Sequence, residues 1–203
     1  MFEAELAPGY GVIEALWERN EVQTALTSND GESDVLEIGD PFWSLDVRVA
    51  LVSRDHFDEW DSFLARRNLS ENSFTMWRSF RIRPRDALIA SDASLLLAGI
   101  DVANSQISFA GWGNGRQAHY GDMVAYRTEA NGYWVGQVTA PQTADGSGNI
   151  AVSVWPRPWA PHASAPAPKR FKALGEFRLL KKPRLKEGHK EWEVRFTAEQ
   201  VLA

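Results

Sequence analysis

Hydrophobic and polar residues alternate along FWSLDVRVALV, residues 42–52. In an extended chain successive side chains point to opposite sides, so a period of two separates the residues into two faces. One of these faces is wholly apolar and consists of Trp43, Leu45, Val47, Val49 and Leu51. The opposite face carries Asp46 and Arg48. The pattern predicts a half-buried β-strand with a clear inner face.

The period changes in the next segment, SRDHFDEWDSFLARRNLS, residues 53–70. Its large apolar residues recur at helical spacing and are Phe57, Trp60, Phe63 and Leu64. This is the stripe of an amphipathic helix that packs on a core. Ser53 or Asp55 can cap its start, and Arg66 and Arg67 would complement the helix dipole in its last turn. We therefore predict one helix directly after the strand.

The remainder of the first 84 residues also has the character of β-structure. NEVQTALTSNDGESDVLEIG predicts two strands joined by a turn at residues 29–31. NSFTMWRSFRIR, residues 72–83, predicts a further strand that ends where Pro84 blocks its continuation.

A series of short strands is predicted in the middle of the chain. QISFAGW is one of them, whereas DASLLLAGIDV is ambiguous between helix and strand, and GNGRQAHY is a loop. Three more strands are expected at Met123–Arg127, Tyr133–Thr139 and Ile150–Trp155, with turns at Asn131-Gly132 and Asp145-Gly146. Strands at this spacing indicate a small barrel or sandwich.

The last 35 residues contain two predicted strands, FKALGEFRLL and EWEVRFTAEQVL, around a basic loop, PRLKEGHK. A segment of this length does not build its own core, so we expect it to complete the first domain. Residues 1–84 and 169–203 would then form one domain, and residues 85–168 would be an inserted small β-barrel. The proline-rich tract that ends near Pro168 would serve as a stiff connector.

Composition narrows the class of protein. The chain has no cysteine, which excludes disulfides and cysteine metal sites and suits a reducing cytoplasm. No apolar run approaches the length of a membrane span, and no signal peptide is visible at the start, so we expect no membrane insertion. Nine tryptophans favour β-rich packing or exposed aromatic contacts.

Charge is distributed unevenly along the chain. Residues 1–64 contain fifteen acidic residues against three arginines, whereas residues 169–203 contain ten Lys or Arg against five Glu. Each segment could simply have a solvated face. Alternatively, the acidic and basic segments meet within the fold or across a head-to-tail contact between subunits. The basic tail lacks interleaved aromatic residues, which argues against nucleic-acid binding.

The sequence contains no recognisable motif for catalysis or for binding a metal ion or phosphate. The turn DGSGN precedes a strand, not the helix that a phosphate loop requires, and its spacing does not fit a calcium loop. The four histidines, His56, His119, His162 and His189, have no metal-ligand spacing. Carboxylates such as Asp101 and Asp122 could form a catalytic pair only if the fold brings them close together, which the sequence does not show. We expect no catalytic residue, no cofactor, no metal and no enzymatic activity.

Three tryptophans are candidate contacts for a protein partner or a glycan. Trp112 lies in a glycine-rich loop, and Trp155 and Trp159 flank prolines. Exposed aromatic side chains on a β-scaffold can stack on sugar rings or anchor a partner. The alternative is that these residues cover the open core of the small domain.

The order of these segments resembles the distal tail proteins of siphovirus bacteriophages and related prophages. The resemblance rests on FWSLDVRVALVSR with DHFDEWDSFLARR and SFTMWR, on residues 121–159 with their DGSGN turn and final Trp-Pro, and on GEFRLL with EVRFTAEQVL. None of these motifs is catalytic, and it is their order along most of the chain that carries the resemblance.

The resemblance implies a virion protein of the tail tip, made in the bacterial cytoplasm. Distal tail proteins form a hexameric ring that joins the tail tube protein to the hub and to the receptor-binding apparatus. Their ring domain is β-rich with one helix, which here implies a discontinuous β-sandwich or split barrel, and some members carry an inserted oligonucleotide/oligosaccharide-binding-like barrel. DNA would pass through the ring without specific binding, along a lining that we expect to be acidic.

Two other functions remain open at this point. A carbohydrate-binding module of a tail tip or cell surface would use the tryptophans named above on a host glycan. A cell-wall-degrading hydrolase is the third alternative, and no motif supports it.

Overall fold

The computed structural model describes residues 5–21, 23–27, 33–37, 39–67, 72–128, 132–159, 167–188 and 191–201. For residues 23–27 and 33–37 it describes the strands but not the side chains. The single helix among the described residues, α1, spans Arg54–Ala65. Several sequence-based predictions fall outside the described residues. They concern the turn at residues 29–31, Asn131 of the next predicted turn, the histidines His162 and His189, and the centre of the proline tract.

Sixteen strands make up most of the described secondary structure. In chain order they are β1 (Glu5–Leu6), β2 (Val12–Asn20), β3 (Gln23–Thr27), β4 (Ser33–Glu37), β5 (Phe42–Leu51), β6 (Phe74–Trp77), β7 (Leu96–Asp101), β8 (Gln106–Ala110), β9 (Gln117–Ala118), β10 (Met123–Arg127), β11 (Tyr133–Val138), β12 (Gln142–Thr143), β13 (Ile150–Trp155), β14 (Leu174–Leu179), β15 (Arg184–Glu187) and β16 (Trp192–Gln200). The prediction of a mostly β fold with one amphipathic helix is confirmed.

The larger sheet combines strands from both ends of the chain. Its order is β1-β6-β14-β16-β5-β2, and β15 pairs with the first half of β16. Only the short contact between β1 and β6 is parallel. The long central pairs, β16 with β5 and β5 with β2, are antiparallel. The final strand of the chain therefore lies in the middle of the sheet that the first strands build.

The smaller sheet takes all its strands from the middle of the chain. Its order is β10-β11-β13-β8-β7, with antiparallel pairing throughout. Two further pairs, β9 with β12 and β3 with β4, are separate two-stranded ladders. The strands thus separate between the two main sheets near residues 84 and 169. The division into two domains stays a prediction, because the larger core also includes Met123, Ala125 and Val135.

Helix α1 forms because its apolar stripe faces the inner side of the larger sheet. The stripe is buried as predicted and consists of Phe57, Trp60, Phe63 and Leu64. The rings of Phe63 and Phe74 meet edge to face at 5.7 Å, and the indole N–H of Trp60 donates to the Tyr10 carbonyl at 3.2 Å. Full burial of one such aromatic side chain stabilises the fold by roughly 1.5–3 kcal/mol.

The ends of α1 differ from the prediction. Ser53 is the N-cap, but its side chain makes no capping hydrogen bond. Arg66 is the C-cap residue and Arg67 lies beyond it, so neither stands in the last turn of the helix. Both guanidinium groups pair with Glu5 instead, which joins the end of the helix to β1.

The structure also differs from the sequence-based prediction in two other segments. The basic segment PRLKEGHK was expected to be a loop, yet residues 184–187 form β15. All four residues are exposed, so no alternation of apolar residues marks the strand, which is held by its pairing with β16. The strand predicted over residues 72–83 ends at Trp77. The ambiguous segment DASLLLAGIDV contains the strand β7.

Candidate functional site

The outer face of the larger sheet carries a ladder of alternating charges. Arg48 on β5 and Arg195 on β16 lie directly opposite each other, an arrangement that repels. Each arginine is neutralised diagonally: Arg48 Nε lies 2.9 Å from Glu193 Oε1, and Arg195 Nη2 lies 2.7 Å from Asp46 Oδ2. The polar side of the alternation in residues 42–52 therefore forms a hydrated, ordered surface.

The pairing changes the acid–base behaviour of these groups. The hydrogen bond from Arg48 holds the pKa of Glu193 below its usual value. The same contact, together with the attraction of the two charges, raises the pKa of Arg48, and Asp46 has the same effect on Arg195. Glu193, Arg48 and Arg195 therefore stay charged near neutral pH, which gives the ladder a fixed pattern of charge.

One side of the larger sheet is open. Strand β2 is nine residues long and pairs only with β5 among the described residues. It exposes two apolar residues, Ile13 at 50 % and Leu16 at 48 % of their surface. A long strand with a free row of backbone N–H and C=O groups is a template for pairing with another chain.

A hairpin of two further strands, β3 and β4, follows β2 along the chain. Two residues separate β2 from β3, and β4 precedes β5. In the sequence the pair β3–β4 therefore lies between the paired strands β2 and β5. β3 and β4 pair with each other and belong to no larger sheet among the described strands. An isolated two-stranded hairpin is marginally stable in water. The arrangement therefore favours a partner for this part of the molecule.

The first of the candidate tryptophans, Trp112, is buried. It is 2 % exposed, belongs to the core of the smaller sheet and packs against Phe109 at 5.6 Å. The guanidinium of Arg170 lies 4.7 Å from the centre of its ring. This packing fits the alternative that Trp112 covers the core, and its role as a contact for a glycan or partner stays a prediction.

Trp155 and Trp159 are half-buried. Trp155 meets Trp43 edge to face at 4.6 Å, and Arg19 lies 5.1 Å from its ring centre. Trp159 is held through its backbone, whose N–H donates to the Tyr126 hydroxyl at 2.9 Å while that hydroxyl donates to the Trp159 carbonyl at 2.5 Å. Burial raises the pKa of Tyr126. The three candidate tryptophans do not form one surface, and the alternative that they cover the cores fits their packing.

A buried ion pair that the sequence reasoning missed fixes the returning chain to the smaller sheet. Arg170 is 2 % exposed, and its Nε donates to Asp92 Oδ1 at 3.1 Å. Its two Nη atoms donate to the carbonyls of Trp112 and Ser91, each at 2.7 Å. Asp92 also accepts the backbone N–H groups of Arg170 and Phe171. Desolvation lowers the pKa of Arg170, and Asp92 opposes that shift.

The carboxylates considered for chemistry stabilise loops. Asp145 accepts the backbone N–H groups of Asn149 and Ser147, which hold its pKa below the usual value. The glycine-rich turn is therefore a loop between β12 and β13 that an aspartate closes. Asp122 is buried and accepts the backbone N–H groups of His119 and Arg85. Asp101 is exposed and bonds to Asn104.

Residues with metal or acid–base potential are scattered. Exposed His56 packs on Tyr10 at 4.4 Å, and burial together with Glu59 raises the pKa of Tyr10 to about 12. Within the described ranges, no group of three or more His, Asp or Glu side chains could hold a metal ion. No helix in the same ranges is long and apolar enough to span a membrane.

No family model matches the chain, and no curated protein sequence is significantly similar to it.

Proposed function

We propose that this chain is a structural subunit of a siphovirus tail tip, of the distal tail type, and that it assembles as a ring, with six copies as the expected number. In this role it joins the tail tube protein to the hub and to the receptor-binding apparatus of the virion. The observation that carries the proposal is the open edge of the larger sheet, with β2 exposed and the hairpin β3–β4 continuing from it.

The open edge supports assembly for a physical reason. Natural monomeric proteins protect long edge strands with charges, prolines or covering segments, because a free ladder pairs with other chains. β2 carries the exposed charges Glu14, Glu18 and Arg19, but it also exposes Ile13 and Leu16, and no described segment covers it. A contact between β2 of one copy and a different surface of the next is heterologous, and such contacts close into rings when the rotation permits.

The mass of the purified protein in solution tests the proposal, measured by light scattering over a concentration series with electron micrographs of the same samples. We expect ring-shaped particles with a mass near six subunits at high concentration. A monomer at every concentration, with no rings in the micrographs, would contradict self-assembly.

A glycan-binding screen separates the tail-tip ring from the alternative of a carbohydrate-binding module. The ring account expects no sugar affinity that depends on Trp155 or Trp159. A sugar affinity that disappears in Trp159→Ala, with unchanged unfolding, would instead favour the binding module.

A further inference from the structure

A strongly basic and apolar surface lies between β6 and β7. Residues 78–88, here named the arginine loop, read RSFRIRPRDAL and contain four arginines and one aspartate. Three apolar side chains of this loop are exposed: Phe80 at 65 %, Ile82 at 45 % and Leu88 at 69 %. The loop borders a shallow open depression of about 820 Å³. This combination stands out in a chain whose net charge is −5.

The backbone of the arginine loop is anchored although its side chains are exposed. The Ile82 carbonyl accepts the backbone N–H of Lys172 at 2.8 Å, and the Arg85 N–H donates to Asp122 at 3.0 Å. Pro84 is buried between these two points. Its exposed side chains are therefore presented from a fixed main chain, which lowers the entropy cost of binding a partner.

Three arginines of the loop lack an acidic partner among the described residues. Among the residues that the structure describes, no acidic side chain forms an ion pair with Arg81, Arg83 or Arg85. Other exposed arginines of this protein are matched, as Arg48 is by Glu193 and Arg195 by Asp46, whereas Arg19 and Arg184 are isolated cations without an ion pair among the described residues. An unmatched cluster of arginines indicates that the anion comes from outside the chain.

The composition of the loop favours a protein over a nucleic acid as that partner. Arginine and aromatic side chains are enriched at the centres of protein interfaces, where they supply most of the binding energy. Ile82 and Leu88 offer aliphatic surface that a phosphate backbone does not use. The partner should therefore present carboxylates beside apolar or neutral surface.

A second copy of this chain offers such a surface on helix α1. Its outward side carries Asp55, Asp58 and Glu59, all exposed, against one arginine, Arg54, whose Nε lies 3.9 Å from Asp58 Oδ2. Helix α1 packs on β5 and β16, whereas the arginine loop is anchored to Asp122 and Lys172. The described residues show no ion pair between the two surfaces within one chain.

We propose that the arginine loop of one subunit docks on the acidic side of helix α1 of the next subunit. This inference rests on the proposed ring and names two surfaces that would close it. Because the surfaces differ, the contact is heterologous, and each subunit uses its loop towards one neighbour and its helix towards the other.

Charge inversion tests the pairing directly. One variant, Arg83→Glu/Arg85→Glu, makes both surfaces of a subunit acidic; the other, Asp55→Lys/Asp58→Lys, makes both basic. Each variant alone should need at least about tenfold more protein to assemble than the native chain, since like charges then meet. An equimolar mixture should assemble again, as rings in which the two variants alternate.

Two controls accompany this test. Arg184→Glu/Lys186→Glu inverts two exposed cations on β15 and should assemble at the native concentration. Thermal unfolding of every variant should follow a native-like transition, because all inverted side chains are exposed. Raising the salt concentration should weaken native assembly, as exposed charge pairs are screened.

The outcomes separate this inference from the proposed function. If the native chain forms rings and both charge-inverted variants do so equally well, the pairing is wrong and the ring function stands. Failure of the mixture to recover assembly also overturns the pairing. A native chain that never assembles overturns both proposals. Binding of a labelled single-stranded DNA at physiological salt that Arg83→Glu/Arg85→Glu abolishes would identify a nucleic acid as the occupant and overturn the docking on α1.

Discussion

The two main sheets both bury tryptophans but treat their ion pairs in opposite ways. The smaller sheet turns its tryptophans inward and buries the pair Arg170–Asp92 against Trp112. The larger sheet keeps its ion pairs on an outer face and leaves β2 open. The difference shows that the ion pairs serve different purposes in the two sheets. In the smaller sheet the buried pair fixes the chain that returns to it, whereas in the larger sheet the exposed pairs form an ordered surface that faces other molecules.

Removal of Arg170 should have the largest effect on stability. Arg170→Ala leaves Asp92 and two carbonyl groups without their partner in a buried site, and we expect a loss of about 3–5 kcal/mol in the free energy of unfolding. Denaturant titration measures it. Arg178→Ala is the matched control, because its pair with Glu199 is exposed and should contribute no more than about 1 kcal/mol. Equal losses in the two variants would contradict the distinction between buried and exposed pairs.

A smaller loss is expected at a glycine of the smaller sheet. Gly111 has a φ of +71°, and a Cβ placed there would lie 1.8 Å from the Ser94 carbonyl oxygen. In Gly111→Ala the left-handed conformation alone costs about 1–2 kcal/mol, and the close approach adds to it. Gly146→Ala is the control, since its Cβ would meet no atom within 4 Å. The midpoints of thermal unfolding measure the effect. An equal decrease in the midpoints of the two variants would show that the site of Gly111 is not tightly packed.

Charges on the open edge should affect assembly far more than folding. Ile13→Lys/Leu16→Lys places two cations on half-exposed positions of β2, where surface substitutions change stability by about 0.5 kcal/mol or less. We expect the particle mass at high concentration to fall to that of the monomer, because edge lysines block strand pairing. Glu18→Lys, also exposed on β2, is a single-charge control of smaller expected effect. Normal rings from the double variant would exclude the β2 edge from the contact.

The smallest effect is a pH dependence that differs between the sheets. Because the pKa of folded Glu193 lies below its usual value of 4.5, its pair with Arg48 stabilises the fold fully above that pH and loses this effect as the pH falls through the lower folded value. Glu193→Gln should therefore show a smaller drop in unfolding midpoint between pH 6 and pH 3.

Salt sharpens this last comparison. The Glu193 contribution depends on an exposed ion pair and should shrink in 1 M salt. The Asp145 contribution depends on backbone N–H donors and should persist there. An identical salt response of Glu193→Gln and Asp145→Ala would contradict this assignment.

The local elements could be predicted from the sequence because their signals are local. The alternation in residues 42–52 and the stripe of α1 place the same side chains inward that the structure buries. The return of the last strands to the first sheet followed from the short length of the final segment. β15 could not be predicted, since its exposed residues have no pattern and its partner strand alone defines it.

The features of the candidate surfaces were harder to predict because they depend on distant partners. Arg170 and Asp92 are 78 positions apart, and nothing in either neighbourhood marks the pair. Trp112 has the glycine-rich surroundings of an exposed loop, yet Arg170, 58 positions further along the chain, covers it. The predicted strand over residues 72–83 includes only the first part of the arginine loop, and nothing in the local sequence shows which of the arginines lack an acidic neighbour in space.

Hydrogen exchange of the backbone amides tests the central claim most directly, measured on the native protein at low and at high concentration. The claim is that the larger sheet assembles through its open side while the smaller sheet fixes the chain. We predict that amides of β2 become protected as the protein concentrates, whereas those of β8 and β13 do not change. Unchanged exchange in β2 at a concentration where the mass has risen to a ring would contradict it.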